Sequence, residues 1–202
     1  NDISMKPQYA TVCGITQREL EVTFAPELNR LAEANGLTYE ETLNKMTALY
    51  DGYHFCEFAE GVFNPFSVLN VFDGYKFSNY WFQTGTPTFL VELLKESEYD
   101  LRTLIDGIEA SASSFTEYRV DANNPIPLIY QSGYLTIKDY DKRFGNYLLK
   151  FPNDEVRYGF MDFLVPYYTS VVDDERGFYI GKFVRELESG EVDAFLNRLQ
   201  AF

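Results

Sequence analysis

Three groupings of side chains in this 202-residue chain have the types that chemistry requires. Asp51, His54 and Cys56 put an acid, a base and a thiol close together along the chain, the parts of a nucleophile activated by an adjacent base. Thr84, Gly85 and Thr86, followed by Pro87, form a helix start whose free amides can face a phosphate. Lys138, Lys142, Arg143 and Lys150 lie in or beside a pair of alternating segments and could meet a nucleic-acid backbone. Each grouping also has a plainer reading. His54 is the sole histidine. Asp51-Gly52 reads as a helix stop, and residues two apart on a following strand share a face through its period alone, so His54 between Tyr53 and Phe55 reads as a packed core residue. Capping explains Thr84-Gly85-Thr86-Pro87 as well as phosphate binding does, because every helix start offers the same donors. Asp139 and Asp141 interleave with the cations of the third grouping. No catalytic residue is assigned on these grounds.

Metal binding has less support. Zinc takes three or four Cys, His or carboxylate ligands, and Cys13, Cys56 and His54 show no such spacing. Asp173-Asp174-Glu175 reads as a solvated link. No metal ligand is expected.

The elements that must position these groups are punctuated by recognisable starts and stops. Thr16-Gln17-Arg18-Glu19 and Thr38-Tyr39-Glu40-Glu41 are capping boxes, in which a Thr hydroxyl and a Glu carboxylate satisfy amides of the first turn. Pro26 suits the first turn of a helix carrying Leu28, Leu31 and Ala32 that stops at Asn35-Gly36. The helix after Thr38 carries Leu43, Met46, Leu49 and Tyr50 and ends at Asp51-Gly52. Residues 53–63 predict a small hairpin around Glu60-Gly61. Asn64-Pro65 opens a helix with Phe66, Leu69 and Phe72 inward and Asp73-Gly74 at its end. Thr86-Pro87 opens another before Phe89 and Leu90.

The small-residue stretch 111–114 marks a candidate boundary. Beyond it, residues 125–132 predict a helix closed by Gly133. Residues 134–140 and 147–151 predict strands around a turn, and Pro152-Asn153 caps a helix with Val156, Phe160, Phe163 and Leu164 on one face. Helix, hairpin, helix is the outline of a winged-helix module. Its presumed recognition segment, Ile126 to Gln131, has no Arg or Lys, which makes it a poor reader of DNA and favours a packing or coupling role.

Aromatic residues make up 17% of the chain, which favours a sizeable buried core over disorder. The net charge of −14 opposes nucleic-acid binding by the whole surface, although a local basic patch is compatible with it. Two cysteines are too few for a disulfide framework. No apolar run is long enough for a membrane span and no signal peptide is visible. A cytoplasmic protein is therefore expected, with no membrane partner. The first residue is not Met, and the last residues continue in helical period. A segment of a longer protein is expected.

Four motifs carry a family resemblance by their order and spacing. They are Tyr50-Asp51-Gly52-Tyr53-His54-Phe55, then Val62-Phe63-Asn64-Pro65-Phe66, then Tyr80-Trp81-Phe82, then Thr84-Gly85-Thr86-Pro87-Thr88-Phe89-Leu90. Together with Gly14-Ile15-Thr16, Gly133-Tyr134-Leu135-Thr136-Ile137 and residues 151–157, they resemble the later part of the bacterial AAA-ATPase-like proteins. These are P-loop ATPases that often carry a restriction-endonuclease-like nuclease domain at the C-terminal end. The family's phosphate-binding loop precedes the matched stretch and its nuclease centre follows it. No Gly-x-x-x-x-Gly-Lys-Ser/Thr occurs here. The resemblance implies a chain that is mainly α with a small β component: residues 1–110 the helical end of the ATPase-like domain, 111–172 a winged-helix-like module with one hairpin, and 173–202 the start of a helical linker. It further implies a non-catalytic lid and coupling segment, whose partners are the P-loop core and nuclease-like domain of the same parent. ATP and Mg would belong to the parent, and this segment would hold no cofactor. Thr84, Gly85 and Thr86 are then the nucleotide-proximal candidates. Tyr50 to Phe55, Asn64, Pro65 and Trp81 are structural. The alternatives are a nucleic-acid-binding module using Lys138, Lys142, Arg143 and Lys150, and an enzyme centred on His54.

Overall fold

The computed structural model describes residues 5–84, 90, 92–94, 102–116, 124–168, 189–191 and 193–194. The capping signals of the first half form the expected helices. Thr16 and Thr38 both make complete capping boxes, starting α1 (Gln17–Thr23) and α3 (Tyr39–Tyr50). Between them α2 (Ala25–Asn35) carries Pro26 in its first turn and ends at Gly36 in the left-handed conformation. The Leu37 amide there bonds the Ala32 carbonyl at 3.0 Å. Asn64 caps α4 (Pro65–Gly74) by accepting from the Phe66 amide.

The four helices enclose a core of Leu20, Leu28, Leu31, Met46, Tyr50, Phe63, Val68 and Val71, all fully buried. The inward stripe of α4 is Ser67, Val68, Val71 and Phe72, which corrects the expectation for Phe66 and Leu69. Those two are 43% and 53% exposed. Helical phase is the reason: Val68 and Val71 enter the core while Ser67 reaches a buried acceptor, which turns positions 66 and 69 outward. The stop of α4 is also one residue later than expected. Tyr75, not Gly74, takes the left-handed conformation, with its carbonyl accepting from Asn35 Nδ2 at 3.0 Å. The predicted hairpin over 53–63 reduces to one antiparallel bridge, Tyr53 with Val62, beside a second, Ile15 with Phe63.

After a 3-10 turn at Trp81–Thr84, Leu90 and residues 92–94 are helical. A short helix α5 (Arg102–Asp106) precedes β1 (Ile108–Ser111), and α6 (Ala112–Thr116) follows it. Next come α7 (Ile126–Gln131), β2 (Thr136–Asp141), β3 (Asn146–Lys150) and α8 (Asp154–Tyr168). The three strands form one antiparallel sheet in the order β1-β3-β2. Ile108 pairs with Leu149 and Thr136 with Lys150, and an irregularity between Ile137 and Asp139 interrupts the second ladder. The boundary expected near residue 110 falls inside β1, whose pairing with β3 ties that stretch into the sheet. Alternation had indicated only the β2–β3 hairpin. Four residues between two short helices are too brief to show a period of their own.

The chain divides into two units, Asn1–Phe160 and Met161–Phe202. In the second, the described residues are the end of α8, a turn at Ser189–Gly190, Glu191, and helical Asp193 and Ala194. On α8, Val156, Phe160 and Leu164 are buried and Phe163 is partly so. The expected link at 173–176 and the helix from Phe178 lie outside the described residues. Among the described residues, no helix is long and apolar enough to cross a membrane. The architecture is mainly helical with a small antiparallel sheet.

Gly52 and Gly36 separate two demands on glycine. At Gly36 (φ +65) nothing lies within 4 Å of an added Cβ. At Gly52 (φ +102) that atom would overlap the Pro152 carbonyl and come 2.8 Å from Lys138 Nζ. Gly36→Ala should cost about 1 kcal/mol from backbone conformation alone. Gly52→Ala should cost about 2 kcal/mol or more, since overlap adds to the backbone term. Urea unfolding of the two variants checks the difference; equal losses would mean that the approach of Pro152 to Gly52 is unimportant.

Candidate functional site

Where the Asp51-Gly52-Tyr53-His54 turn leaves α3, Tyr53 pairs with Val62, but the carbonyls of Asp51 and Gly52 and both main-chain groups of His54 find their partners outside helix and sheet. Three side chains from far along the sequence answer them. Thr136, buried at the start of β2, accepts from the His54 amide at 2.7 Å and donates to the His54 carbonyl at 2.9 Å. Lys138 Nζ donates to the carbonyls of Gly52 and Pro152, both at 2.8 Å. Asn153 donates from Nδ2 to the Asp51 carbonyl at 2.9 Å, while its Oδ1 accepts from the Val156 amide at 3.0 Å and caps α8. The turn is therefore a main-chain platform on which the sheet and the start of α8 are seated.

A second junction lies beside it. Glu155, in the first turn of α8, is fully buried. Its Oε2 accepts from Ser67 Oγ on α4 at 2.7 Å. Its Oε1 accepts from the amides of Tyr80 and Trp81 at 2.7 and 3.1 Å. Burial raises its carboxyl above the usual 4.5, against the lowering effect of these three donors. Trp81 extends the junction through aromatic contacts: its ring lies 5.3 Å from Tyr134, which lies 5.1 Å from Phe160. Gly133 (φ +79) makes room, since a Cβ there would come within 3.3 Å of the indole. Nothing in the sequence marks Glu155, because an acid in the first turn of a helix is an ordinary partner of the helix dipole. Only its burial sets it apart.

The platform borders a cleft of about 460 Å³ lined by Thr47, Asp51, His54, Lys138, Asn153 and Arg157, among others. His54 Nδ1 lies 2.9 Å from the Gly52 carbonyl, which can only accept, so the ring holds its proton on Nδ1. Burial, and then Lys138, pull the imidazole below its usual 6.5. Asp51 is not the orienting partner of His54. Its Oδ1 is buried against Gly61 with no hydrogen bond among the described residues, and burial raises its carboxyl. Cys56 does not line this cleft. It shares a separate cavity of about 150 Å³ with His54 and Tyr140, and burial pushes its thiol up, opposite to the needs of a nucleophile. The structure thus brings Asp51 and His54 to one cleft and leaves Cys56 out of it.

The other motif residues are occupied in packing. The Tyr50 hydroxyl donates to the Ser78 carbonyl at 2.9 Å and accepts from its amide at 3.1 Å. Tyr53, Phe55, Asn64, Pro65 and Trp81 line a cavity of about 170 Å³ with Cys13. Thr84 ends the 3-10 turn, while Gly85 and Thr86 lie outside the described residues. The four cations do not form one surface. Lys138 is bonded to Gly52 and Pro152, Lys142 lies over the Phe58 ring, and Arg143 lies over Phe144. The aliphatic part of Lys150 packs where a Gly107 side chain would be. Among the described residues no group of three or more His, Cys, Asp or Glu side chains could hold a metal ion.

Replacing Glu155 by Ala strands three donors and should cost about 3 kcal/mol or more. Gln keeps an acceptor for the Tyr80 and Trp81 amides and should cost far less. The raised carboxyl means that the folded chain holds a proton to higher pH than the unfolded one. Stability from this group is therefore greatest below about 4.5 and declines as pH rises toward the folded value. The difference in unfolding free energy between wild type and Glu155→Gln should change with pH across that window; a constant difference would show that the carboxyl is not shifted. His54 has the opposite sense. Its lowered value makes stability fall as pH drops from 6.5 toward the folded pKa, and His54→Gln should remove that fall in chemical denaturation.

No family model matches the chain, and no solved structure matches it. A protein of Azotobacter chroococcum mcd 1, described as an uncharacterized protein in the vnfD 5' region, is 36% identical over 160 residues. The match covers 78% of this chain and 28% of that protein, so the chain spans well under half the length of this relative.

Proposed function

We propose that the chain is the non-catalytic lid and coupling segment of a bacterial AAA-ATPase-like protein. It packs on a P-loop core elsewhere in the parent and transmits the nucleotide state of that core to a C-terminal nuclease-like effector. One observation carries this reading. The most specific motif of the resemblance, Tyr50 to Phe55, offers its main chain to Thr136, Lys138 and Asn153. Side chains that could do chemistry are turned into a joint between the helical body and the sheet-bearing part. Glu155 reinforces that joint by bonding Ser67 and the Tyr80-Trp81 amides.

The sheet-bearing part reads as a winged-helix-like module. The order α5, β1, α6, α7, β2, β3 and the sheet order β1-β3-β2 support that reading. Its α7 is largely buried, with Ile126, Pro127 and Ile129 inside, which suits packing better than groove reading. The stretch 108–116 is a paired strand and a short helix, so motion of this part as one body is favoured over a pivot at Ser111. The greater length of the Azotobacter relative is compatible with a parent that supplies the missing centres. ATP and Mg enter only through that parent, because this chain has no phosphate-binding loop sequence.

Nucleotide binding and turnover by the chain alone and by the full parent test the proposal. The chain alone should neither bind nor hydrolyse ATP, and the parent should do both. Lys138→Met with Thr136→Val in the parent should leave ATP turnover within about threefold of wild type while abolishing the nucleotide dependence of the effector. Turnover by the chain alone, or an effector response that survives the double variant, would refute the coupling role.

A further inference from the structure

The cavity at the start of α4 gathers four aromatic residues around about 170 Å³ of space. They come from separate pieces of chain. Tyr53 and Phe55 belong to the turn after α3, Phe63 to the bridge with Ile15, and Trp81 to the 3-10 turn. Phe63 is fully buried, whereas Tyr53, Phe55 and Trp81 are half-buried. Cys13 shares the lining and is exposed, which puts the mouth of the cavity at the surface. Pockets for drug-sized ligands run from about 300 Å³ upward, so this one takes a single compact group.

The chemistry of the lining narrows what that group is. Among the described residues, no charged side chain lines the cavity. The nearby main-chain groups are largely paired. Tyr53 and Val62 exchange bonds at 3.2 and 3.0 Å, and Phe63 and Ile15 do so at 2.8 and 3.1 Å. Asn64 Oδ1 accepts from the Phe66 amide at 2.9 Å. A primary ammonium or a guanidinium would enter with several N–H donors and leave most of them unanswered, which is costly once water is excluded. An anion would meet aromatic rings and no cation.

The local field favours positive charge. Glu155 stands behind the Trp81 wall, fully buried, with its Oε1 accepting from the Trp81 amide at 3.1 Å. Its charge reaches Tyr53 as well: burial raises the phenol most, and Glu155 raises it further. The net charge of −14 acts in the same direction at longer range. A cation that lacks N–H groups meets all of these conditions, since aromatic rings attract it without hydrogen bonds.

We propose that this cavity binds a small quaternary ammonium compound, with its trimethylammonium head among Tyr53, Phe55, Phe63 and Trp81. The site is separate from the Gly52 platform and does not depend on the coupling role.

Trp81 is the sole tryptophan, so its fluorescence reports on the cavity wall directly. The whole chain is titrated with choline chloride at constant ionic strength, and calorimetry repeats the measurement. A Kd of about 1 mM or tighter is expected. The neutral isostere 3,3-dimethylbutan-1-ol should bind about fivefold more weakly or worse, because it has the shape without the charge. Phe55→Leu keeps an apolar side chain but removes one ring, and should weaken choline about threefold or more. Its urea midpoint confirms that the variant is folded. Glu155→Gln should weaken choline and leave the alcohol unchanged, a split that a general loosening of the fold would not produce. No choline binding, equal affinity for the alcohol, or full affinity in both variants would overturn the proposal. So would binding of a trimethyllysine peptide without binding of choline.

Discussion

Glu155 takes a carboxylate out of water with no cation beside it among the described residues. Such a group persists only where donors meet it from several directions. Here Ser67 comes from α4, the Tyr80 and Trp81 amides come from the segment that follows that helix, and the carboxylate belongs to α8. Moving any one of these three pieces would leave a buried charge or a buried donor unanswered. The relative placement of α4, the 3-10 turn and the start of α8 is thereby fixed by direction as well as by apolar contact.

The same logic governs the turn after α3. A helix that stops at Asp51-Gly52 leaves carbonyls without partners. The structure fills them with Lys138, Asn153 and Thr136 from the other end of the unit. An acid, a histidine and a cysteine close in sequence would ordinarily invite a catalytic reading. The geometry divides them: the imidazole proton faces a carbonyl, the carboxyl backs onto Gly61, and the thiol lies in another cavity. What the motif contributes is shape and main-chain hydrogen bonding. Under the coupling role proposed above, that stiffness is what would carry displacement from one part to the other.

Lys138 illustrates how far a side chain's role can depart from its type. By charge and position in a hairpin it resembles a phosphate contact. In the fold its ammonium is committed to two carbonyls, and its charge helps to keep His54 neutral. Lys142 and Arg143, only a few residues further on, lie over aromatic rings instead. The difference is one of reach: the middle of β2 adjoins the Gly52 turn, whereas the hairpin end projects beyond it.

Much of the secondary structure was legible from local signals. The two capping boxes, Asn64-Pro65, Gly36 and the β2–β3 alternation depend on residues within one turn of each other, and such interactions are encoded wherever the residues occur. The strand β1 was not legible, because four residues between two short helices have too little length to show a period. The facing of α4 is not legible locally, because Phe66 and Leu69 are apolar yet lie on the side the core does not reach. Glu155, Lys138 and the orientation of His54 could be decided only by the fold. Glu155 and Lys138 depend on partners far along the chain, Ser67 and Glu155 at a separation of 88 and Lys138 and Gly52 at 86, while the His54 ring turns to a carbonyl only two residues away, in a turn that those distant partners hold. By itself the sequence determined the capped starts of α1, α3 and α4 and the stop of α2, and that no phosphate-binding loop motif is present. Tertiary structure decided which polar groups would leave water, because desolvation is a property of the assembled neighbourhood and of no single residue.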